Sequence, residues 1–174
     1  MNLQDFIRSV PDFPKKGIVF KDITTLLKEP EAFAATADML YNFSKNLDIQ
    51  KVAAIEARGF LFGSLLAQRL KAGFVPIRKP KKLPAEVYSQ SYTLEYGEDT
   101  LEMHRDAIKK GEKVLLHDDL LATGGTAEAA CKLIEQAGGI VLQISFLIEL
   151  TFLKGREKLA NYDVVSLIRY EQEA

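Results

Sequence analysis

A chain of 174 residues that is 47% hydrophobic and 27% charged has enough apolar content to build one core and too much to remain disordered. Its formal net charge of −1 supplies no field to gather nucleic-acid backbone or anionic lipid, so neither nucleic acid nor membrane is expected as a partner. One cysteine, Cys131, excludes an internal disulfide, and two histidines cannot make a zinc cluster of familiar spacing.

The polar start (Asn2, Gln4, Asp5) carries no signal pattern and no apolar stretch approaches bilayer length, so a cytoplasmic, reducing location is expected. Proline clusters at Pro11 to Pro14 and Pro76 to Pro84 divide the chain into three zones. In the first, a short amphipathic start leads into Gly17-Ile18-Val19-Phe20-Lys21-Asp22. Pro30, whose fixed φ suits a first helical turn, then opens a helix to about Asn46, and this zone reads as a cap over the core. The second zone predicts a strand at Val52 to Ile55, a helix at Phe60 to Leu70 and a strand at Phe74 to Ile77. Val87 to Tyr96 alternates polar and aromatic residues, which predicts two-sided solvated strands or a long, mobile excursion.

The third zone opens on Val114-Leu115-Leu116, a continuous apolar run of the kind required of a parallel strand covered on both faces. In the helix that follows, Ala130, Leu133, Ile134 and Ala137 fall on one stripe and Gly138-Gly139 closes the end. Strands at Ile140 to Ile148 and Val164 to Ile168 complete the repetition. The pattern predicts one α/β domain with a mainly parallel sheet, right-handed crossovers and a ligand site beyond the carboxyl ends of the strands.

The stretch from Val114 to Thr126 leaves a buried strand, presents Asp118 and Asp119, and turns into a helix. Gly124 and Gly125 allow backbone N–H groups close to an anion, and the helix beginning there adds a favourable dipole end. Thr123 and Thr126 add hydroxyl donors. Two adjacent acids repel phosphate, so they are suited to accept hydrogen bonds from sugar hydroxyls, and the combination describes a ribose 5-phosphate. Taken singly, the acids could cap a helix and the glycines make a tight turn. Neither a Walker loop nor a Gly-x-Gly-x-x-Gly fingerprint is present.

Five segments together resemble the adenine phosphoribosyltransferases: Pro11-Asp12-Phe13-Pro14, Gly17 to Ile23, Ala57-Arg58-Gly59-Phe60-Leu61-Phe62-Gly63, Leu94-Glu95-Tyr96-Gly97 and Leu121-Ala122-Thr123-Gly124-Gly125-Thr126. The resemblance spans nearly the whole chain. It implies an α/β, Rossmann-like type I phosphoribosyltransferase fold over residues 1–174, with an N-terminal hood over about residues 1–35 and a flexible lid over about residues 83–105. It implies transfer of phosphoribosyl from phosphoribosyl pyrophosphate to N9 of adenine, giving AMP and pyrophosphate, with Mg2+ held mainly by substrate and few protein ligands, in a homodimer.

Carried onto matching positions, the resemblance assigns Asp118 and Asp119 to the ribose hydroxyls and Ala122, Thr123, Gly124, Gly125 and Thr126 to the 5-phosphate. Arg58 faces the pyrophosphate, on a loop with a cis peptide between Glu56 and Ala57. Arg78, Lys79 and Lys82 gather the pyrophosphate, with Lys71 and Lys81 as bystanders, although such a basic run is commonly a solvated face. Val19 and Lys21 offer main-chain groups to adenine, Phe20 stacks on it and Leu120 adjoins it; the alternative is that Phe20 is simply core. Lys21 stands where relatives often carry arginine, and lysine lacks the planar fork. Glu95 is a catalytic residue of the lid, acting on the base proton or on the sugar charge, with Tyr96 beside it.

His117 departs from the aliphatic residue usual before the two acids. It reads either as a strand-end histidine bonded to main chain or as a group tuning Asp118 or Asp119. Cys131 reads as a small packed residue. Two alternatives to adenine transfer are a 6-oxopurine substrate and a non-catalytic sensor of phosphoribosyl pyrophosphate. A sensor that also bound DNA would need a basic reading module, for which the chain has no room.

Overall fold

The computed structural model describes residues 1–94 and 97–173. After a 3-10 turn at Leu3–Phe6, β1 (Arg8–Pro11) and β2 (Val19–Asp22) form an antiparallel hairpin with Val10 opposite Phe20. Its bend contains a cis Phe13-Pro14 peptide and is tied by Asp12, whose carboxylate accepts the Gly17 N–H at 2.7 Å. The short α1 (Thr24–Leu27) leads to α2 (Pro30–Ser44), which starts at Pro30 as its fixed φ requires and buries Ala32, Ala37 and Leu40.

The central layer comprises β3 (Lys51–Ile55), β4 (Gly73–Ile77), β7 (Lys113–Leu121), β8 (Ile140–Leu150) and β9 (Val164–Tyr170), all parallel, in the order β4-β3-β7-β8-β9. Between them in sequence, β5 (Val87–Leu94) and β6 (Gly97–His104) form a separate antiparallel hairpin. The helix α3 (Gly59–Leu70) connects β3 to β4, and α4 (Gly125–Gln136) connects β7 to β8.

Strand β7 shows why Val114-Leu115-Leu116 is apolar without interruption. Successive side chains point to opposite faces, so Leu115 joins the cluster under α2 and α3 while Val114 and Leu116 join the cluster under α4. The first cluster holds Leu26, Leu40, Phe62 and Leu66; the second holds Leu133, Ile134 and Phe146. The stripe expected on α4 is the one buried, and the helix closes at Gly138, whose φ is +92°, with the Gly139 N–H returning to the Ile134 carbonyl at 2.9 Å.

The hairpin carries one feature that the sequence reading did not include. Strand β5 is largely exposed, as its alternation predicts, but the returning β6 buries Leu101 and Met103 in the α4-side core. Those two apolar residues are separated by one polar residue, too short a pattern to distinguish a strand from a loop.

Gly63 sets how closely α3 lies on the sheet: a Cβ there would stand 2.6 Å from the Ala54 Cβ, which is fixed to β3 and cannot rotate away. Alanine gains about 1 kcal/mol in helix propensity, but overpacking costs about 1–3 kcal/mol. Gly63→Ala is therefore expected to destabilise the fold by about 1 kcal/mol in urea unfolding, and a stabilised variant would contradict this packing.

Candidate active site

The two acids lie inside β7, not beyond it, because the strand continues to Leu121 in register with β8. Asp119 is 6% exposed, and its Oδ2 accepts the Arg58 Nε at 2.5 Å. Asp118 is half-buried, and its Oδ1 accepts the Asp119 N–H at 2.8 Å. Withdrawal from water, followed by the charge of Asp119, pushes the Asp118 carboxyl well above the ordinary range. Arg58 precedes α3 in a loop that contains the cis Glu56-Ala57 peptide expected from the family resemblance. Gly59 lets the start of that helix close on β7: a Cβ on it would stand 3.0 Å from Asp118 Oδ1.

Beyond Leu121 the chain turns through Ala122 and Thr123 into Gly124, whose φ of +91° is open to glycine, and α4 begins at Gly125. A cavity of about 270 Å³ lies over this turn, lined by Arg58, Lys79, Asp118, Asp119, Leu120, residues 122–124 and Thr126. Gly125 lies just outside it, on an adjoining recess beside Tyr92 and Lys158.

The basic run divides. Glu56 accepts Arg78 Nε at 3.2 Å, Lys82 Nζ at 2.5 Å and the Lys79 N–H at 2.7 Å. Burial alone would raise Glu56, but these donors and the Arg78 charge outweigh it and hold the carboxyl below its usual range. Lys79 pairs with Asp99 and bonds to the Tyr92 hydroxyl at 3.1 Å, which places it in the cavity lining. Lys71 caps the end of α3 with a φ of 55° and Lys81 is exposed with a φ of 68°, so both serve turns.

A second, apolar recess of about 320 Å³ is lined by Val10, Phe13, Phe20, Asp22 and Thr24. Arg58 stands between the recesses, its guanidinium carbon 5.3 Å from the centre of the Phe20 ring. Phe20 is half-buried and meets Phe13 edge-on at 5.2 Å, so its ring is neither core nor free surface. Lys21, next along β2, points the other way: Nζ donates to Ser9 Oγ at 2.9 Å and lies 4.2 Å from the Tyr170 ring centre. Only the main chain of Lys21 faces the Phe20 side, and Val19 lines neither recess. Glu95 and Tyr96 lie outside the described residues.

Residues 22–168 match the model of the phosphoribosyl transferase domain. The chain is 58% identical over 173 residues to the adenine phosphoribosyltransferase of Christiangramia forsetii, covering 98% of this chain and 99% of that protein. The chain belongs to the adenine phosphoribosyltransferase family. The crystal structure of the adenine phosphoribosyltransferase from Thermoanaerobacter pseudethanolicus superimposes with a TM-score of 0.95 at 56% identity, covering 97% of this chain and 98% of that one. The Saccharomyces cerevisiae enzyme, complexed with adenine and an iminoaltritol bisphosphate, gives 0.89 at 41% identity, with 95% and 96% covered.

Sequence reasoning missed what stands behind the family's glycine turn. Gly155, buried in the 3-10 segment Gly155–Leu159, touches that turn, and no pattern in the surrounding Lys154-Gly155-Arg156 marks it. It also missed Asp22, which Thr24 holds through its side chain and N–H and Arg8 through its guanidinium, lowering the carboxyl to about 2.

His117 is fully buried: its Nδ1 meets Ser145 Oγ at 2.8 Å, a side-chain partner in addition to the main-chain bonding that the sequence leads one to expect. Parallel pairing sets the two residues opposite each other on one face and commits their backbone to the ladder. Burial pushes this imidazole down to about 4 from 6.5, against a smaller opposing pull from Asp119. Between those values the unfolded chain binds more protons, so this group's contribution is complete above pH 6.5 and declines as pH falls towards 4. The loss amounts to about 3 kcal/mol. Asp118, raised in the fold, acts in the opposite sense, contributing stability at low pH that is lost as pH rises. Urea unfolding of wild type and His117→Val across this range isolates the histidine. The wild type should decline more steeply, parallel curves would refute the assignment, and the pH profile of turnover should not change.

Proposed function

We propose that this chain transfers the phosphoribosyl group of phosphoribosyl pyrophosphate to N9 of adenine, releasing AMP and pyrophosphate. One observation carries the reading: Asp118-Asp119 and the glycine turn at the start of α4 line a single cavity, with Arg58 joining it to the aromatic recess. Acids suited to sugar hydroxyls and a turn suited to phosphate thereby line the same cavity. The yeast relative, solved with adenine, supports the choice of base.

In this reading N9 forms a bond to the anomeric carbon as the bond to the pyrophosphate oxygen breaks, the electron pair leaves with pyrophosphate, and the base loses its proton. Asp118 and Asp119 hold the ribose hydroxyls. Residues 122–126 hold the 5-phosphate. Arg58, Arg78, Lys79 and Lys82 offset the charge that gathers on the leaving group, and Arg58, held by Asp119, does so from a position set in advance, without reorganisation at the moment of reaction. Phe20 stacks on adenine, Leu120 adjoins it, and Val19 and Lys21 present main-chain groups to its edge. Ser9 and Tyr170 occupy the Lys21 side chain, so the absence of an arginine fork there leaves those main-chain bonds intact.

Magnesium fits the residues present, since Asp118 and Asp119 are hard oxygen donors beside a cavity otherwise suited to phosphate. It would arrive with the substrate and supply neutralising charge at the pyrophosphate. The β5-β6 hairpin serves as the lid over the reacting centre, with Glu95 acting on the base proton or the sugar charge and Tyr96 beside it. A homodimer is supported by the edge strand β4, where Phe74 is exposed and meets Phe60 at 5.6 Å. The proposal includes a cytoplasmic location; no helix among the described residues is long and apolar enough to cross a membrane.

Incubation with labelled adenine, phosphoribosyl pyrophosphate and Mg2+ should yield AMP, with guanine and hypoxanthine disfavoured by about 10⁴-fold. A 6-oxopurine reverses the donor and acceptor pattern on its edge and leaves buried main-chain groups unpaired. Equal use of hypoxanthine would overturn the assignment of the base. Glu95→Ala should reduce turnover far more than AMP affinity; equal losses in both would remove its role in the lid.

A further inference from the structure

The glycine turn does not stand alone. A Cβ on Gly124 would lie 2.6 Å from the Gly155 carbonyl oxygen, and a Cβ on Gly155 would lie 2.5 Å from the Ala122 carbonyl oxygen and 2.8 Å from Leu121 Cδ1. Two stretches of backbone distant in sequence are therefore in direct contact, each through a residue without a side chain. The second stretch is bent into place at Lys154, whose φ is 56°, and forms a 3-10 segment over Gly155–Leu159.

The residue after Gly155 anchors that segment. Arg156 donates from Nε to Glu149 Oε2 at 2.9 Å and from Nη2 to Glu149 Oε1 at 2.9 Å, and its Nη1 donates to the Val164 carbonyl at 2.8 Å. Glu149 is 3% exposed and is held further by the Ser166 hydroxyl at 2.5 Å. It sits near the end of β8 in register with Leu121, the last residue of β7 before the turn. A forked pair of this kind fixes orientation as well as distance.

We propose that Arg156, locked by Glu149, is a positioning residue that presses Gly155 against Ala122 and Gly124 and so presets the turn for the 5-phosphate of the sugar substrate. Neither Arg156 nor Glu149 lines the cavity, so the effect passes through the Gly155 backbone. The proposal rests on the phosphate role given above to residues 122–126. Arg169 supplies an internal control, since its Nε lies 3.7 Å from the same Glu149 carboxylate and it belongs to β9, not to the segment behind the turn.

The test compares wild type, Arg156→Gln, Arg156→Lys and Arg169→Ala by the KM of each substrate, by thermal unfolding, and by calorimetric titration with ribose 5-phosphate. In Arg156→Gln the KM for phosphoribosyl pyrophosphate should rise about tenfold and ribose 5-phosphate affinity fall about as much, with the KM for adenine within about twofold of wild type. Arg156→Lys, which keeps a cation but loses the fork, should lie between, and carries the test if the glutamine variant fails to fold. Arg169→Ala should bind as wild type does.

A merely structural role would lower Tm and the active fraction while leaving both KM values unchanged, and that result overturns the proposal. So does a parallel rise in both KM values, or an equal effect from Arg169→Ala. Should the wild type bind ribose 5-phosphate yet make no AMP, the adenine reading fails on its own, and the titration of Arg156→Gln still decides the positioning role. A wild type that does not bind ribose 5-phosphate overturns both.

Discussion

A carboxylate withdrawn from water must be matched, and Asp119 meets that requirement with the Arg58 guanidinium at 2.5 Å. The pairing reaches from the central strand of the sheet to the loop before α3, and the same guanidinium stands over Phe20 of the N-terminal hairpin. Three parts of the fold thus converge on one cation. A carboxylate accepts several donors, so Asp119 can keep Arg58 and still take a sugar hydroxyl. Asp118 answers the same desolvation differently, by favouring its protonated form. Two adjacent acids at the end of one strand are tolerated because one is paired and the other is not obliged to be charged.

The second constraint is steric. A phosphate can be held by main-chain N–H groups only where backbone is bare enough to approach, and backbone that bare needs support from behind. Gly124 meets the first demand and Gly155 the second. The support is built from elements that come late in the chain, so the turn after β7 is complete only when β8, the segment after it and β9 have docked. The Glu149 to Arg156 pair joins those late elements where the sheet ends.

What was legible in the sequence was whatever repeats or clusters locally. Val114-Leu115-Leu116 announced a strand covered on both faces, the stripe through Ala130, Leu133 and Ile134 announced α4, and Asp118-Asp119 with Gly124-Gly125 announced the turn. The continuation of β7 through the acids was hidden because charged residues inside a central strand contradict the apolar pattern; only the partnership with Arg58, 61 positions earlier, makes them acceptable. His117 with Ser145, Glu149 with Arg156, and Gly124 with Gly155 were illegible for a related reason. Each depends on strand register or on two chain segments meeting, and neither leaves a periodic trace. Family resemblance named Arg58, Lys79, Asp118, Asp119, Leu120, residues 122–124 and Thr126 of the cavity lining and none of the residues behind it.

The cations around the cavity are held with very different firmness, and this bears on how a charged substrate could enter. Lys82 and Arg78 share the nearly buried Glu56, which also accepts the Lys79 N–H, while the Lys79 ammonium pairs with the partly exposed Asp99 and bonds to Tyr92. An exposed pair such as Lys79 with Asp99 contributes about 0–1 kcal/mol, and Glu56 keeps two donors when one lets go, so exchanging either contact for a pyrophosphate oxygen costs little. Releasing Arg58 would instead strand a buried charge on Asp119, at a cost of several kcal/mol. Under the proposed reaction the lysines are therefore the groups free to reach for the leaving group, while Arg58 stays with Asp119 and acts from a fixed position. Mobile charge gathers the substrate, and fixed charge defines where its reacting bond must lie.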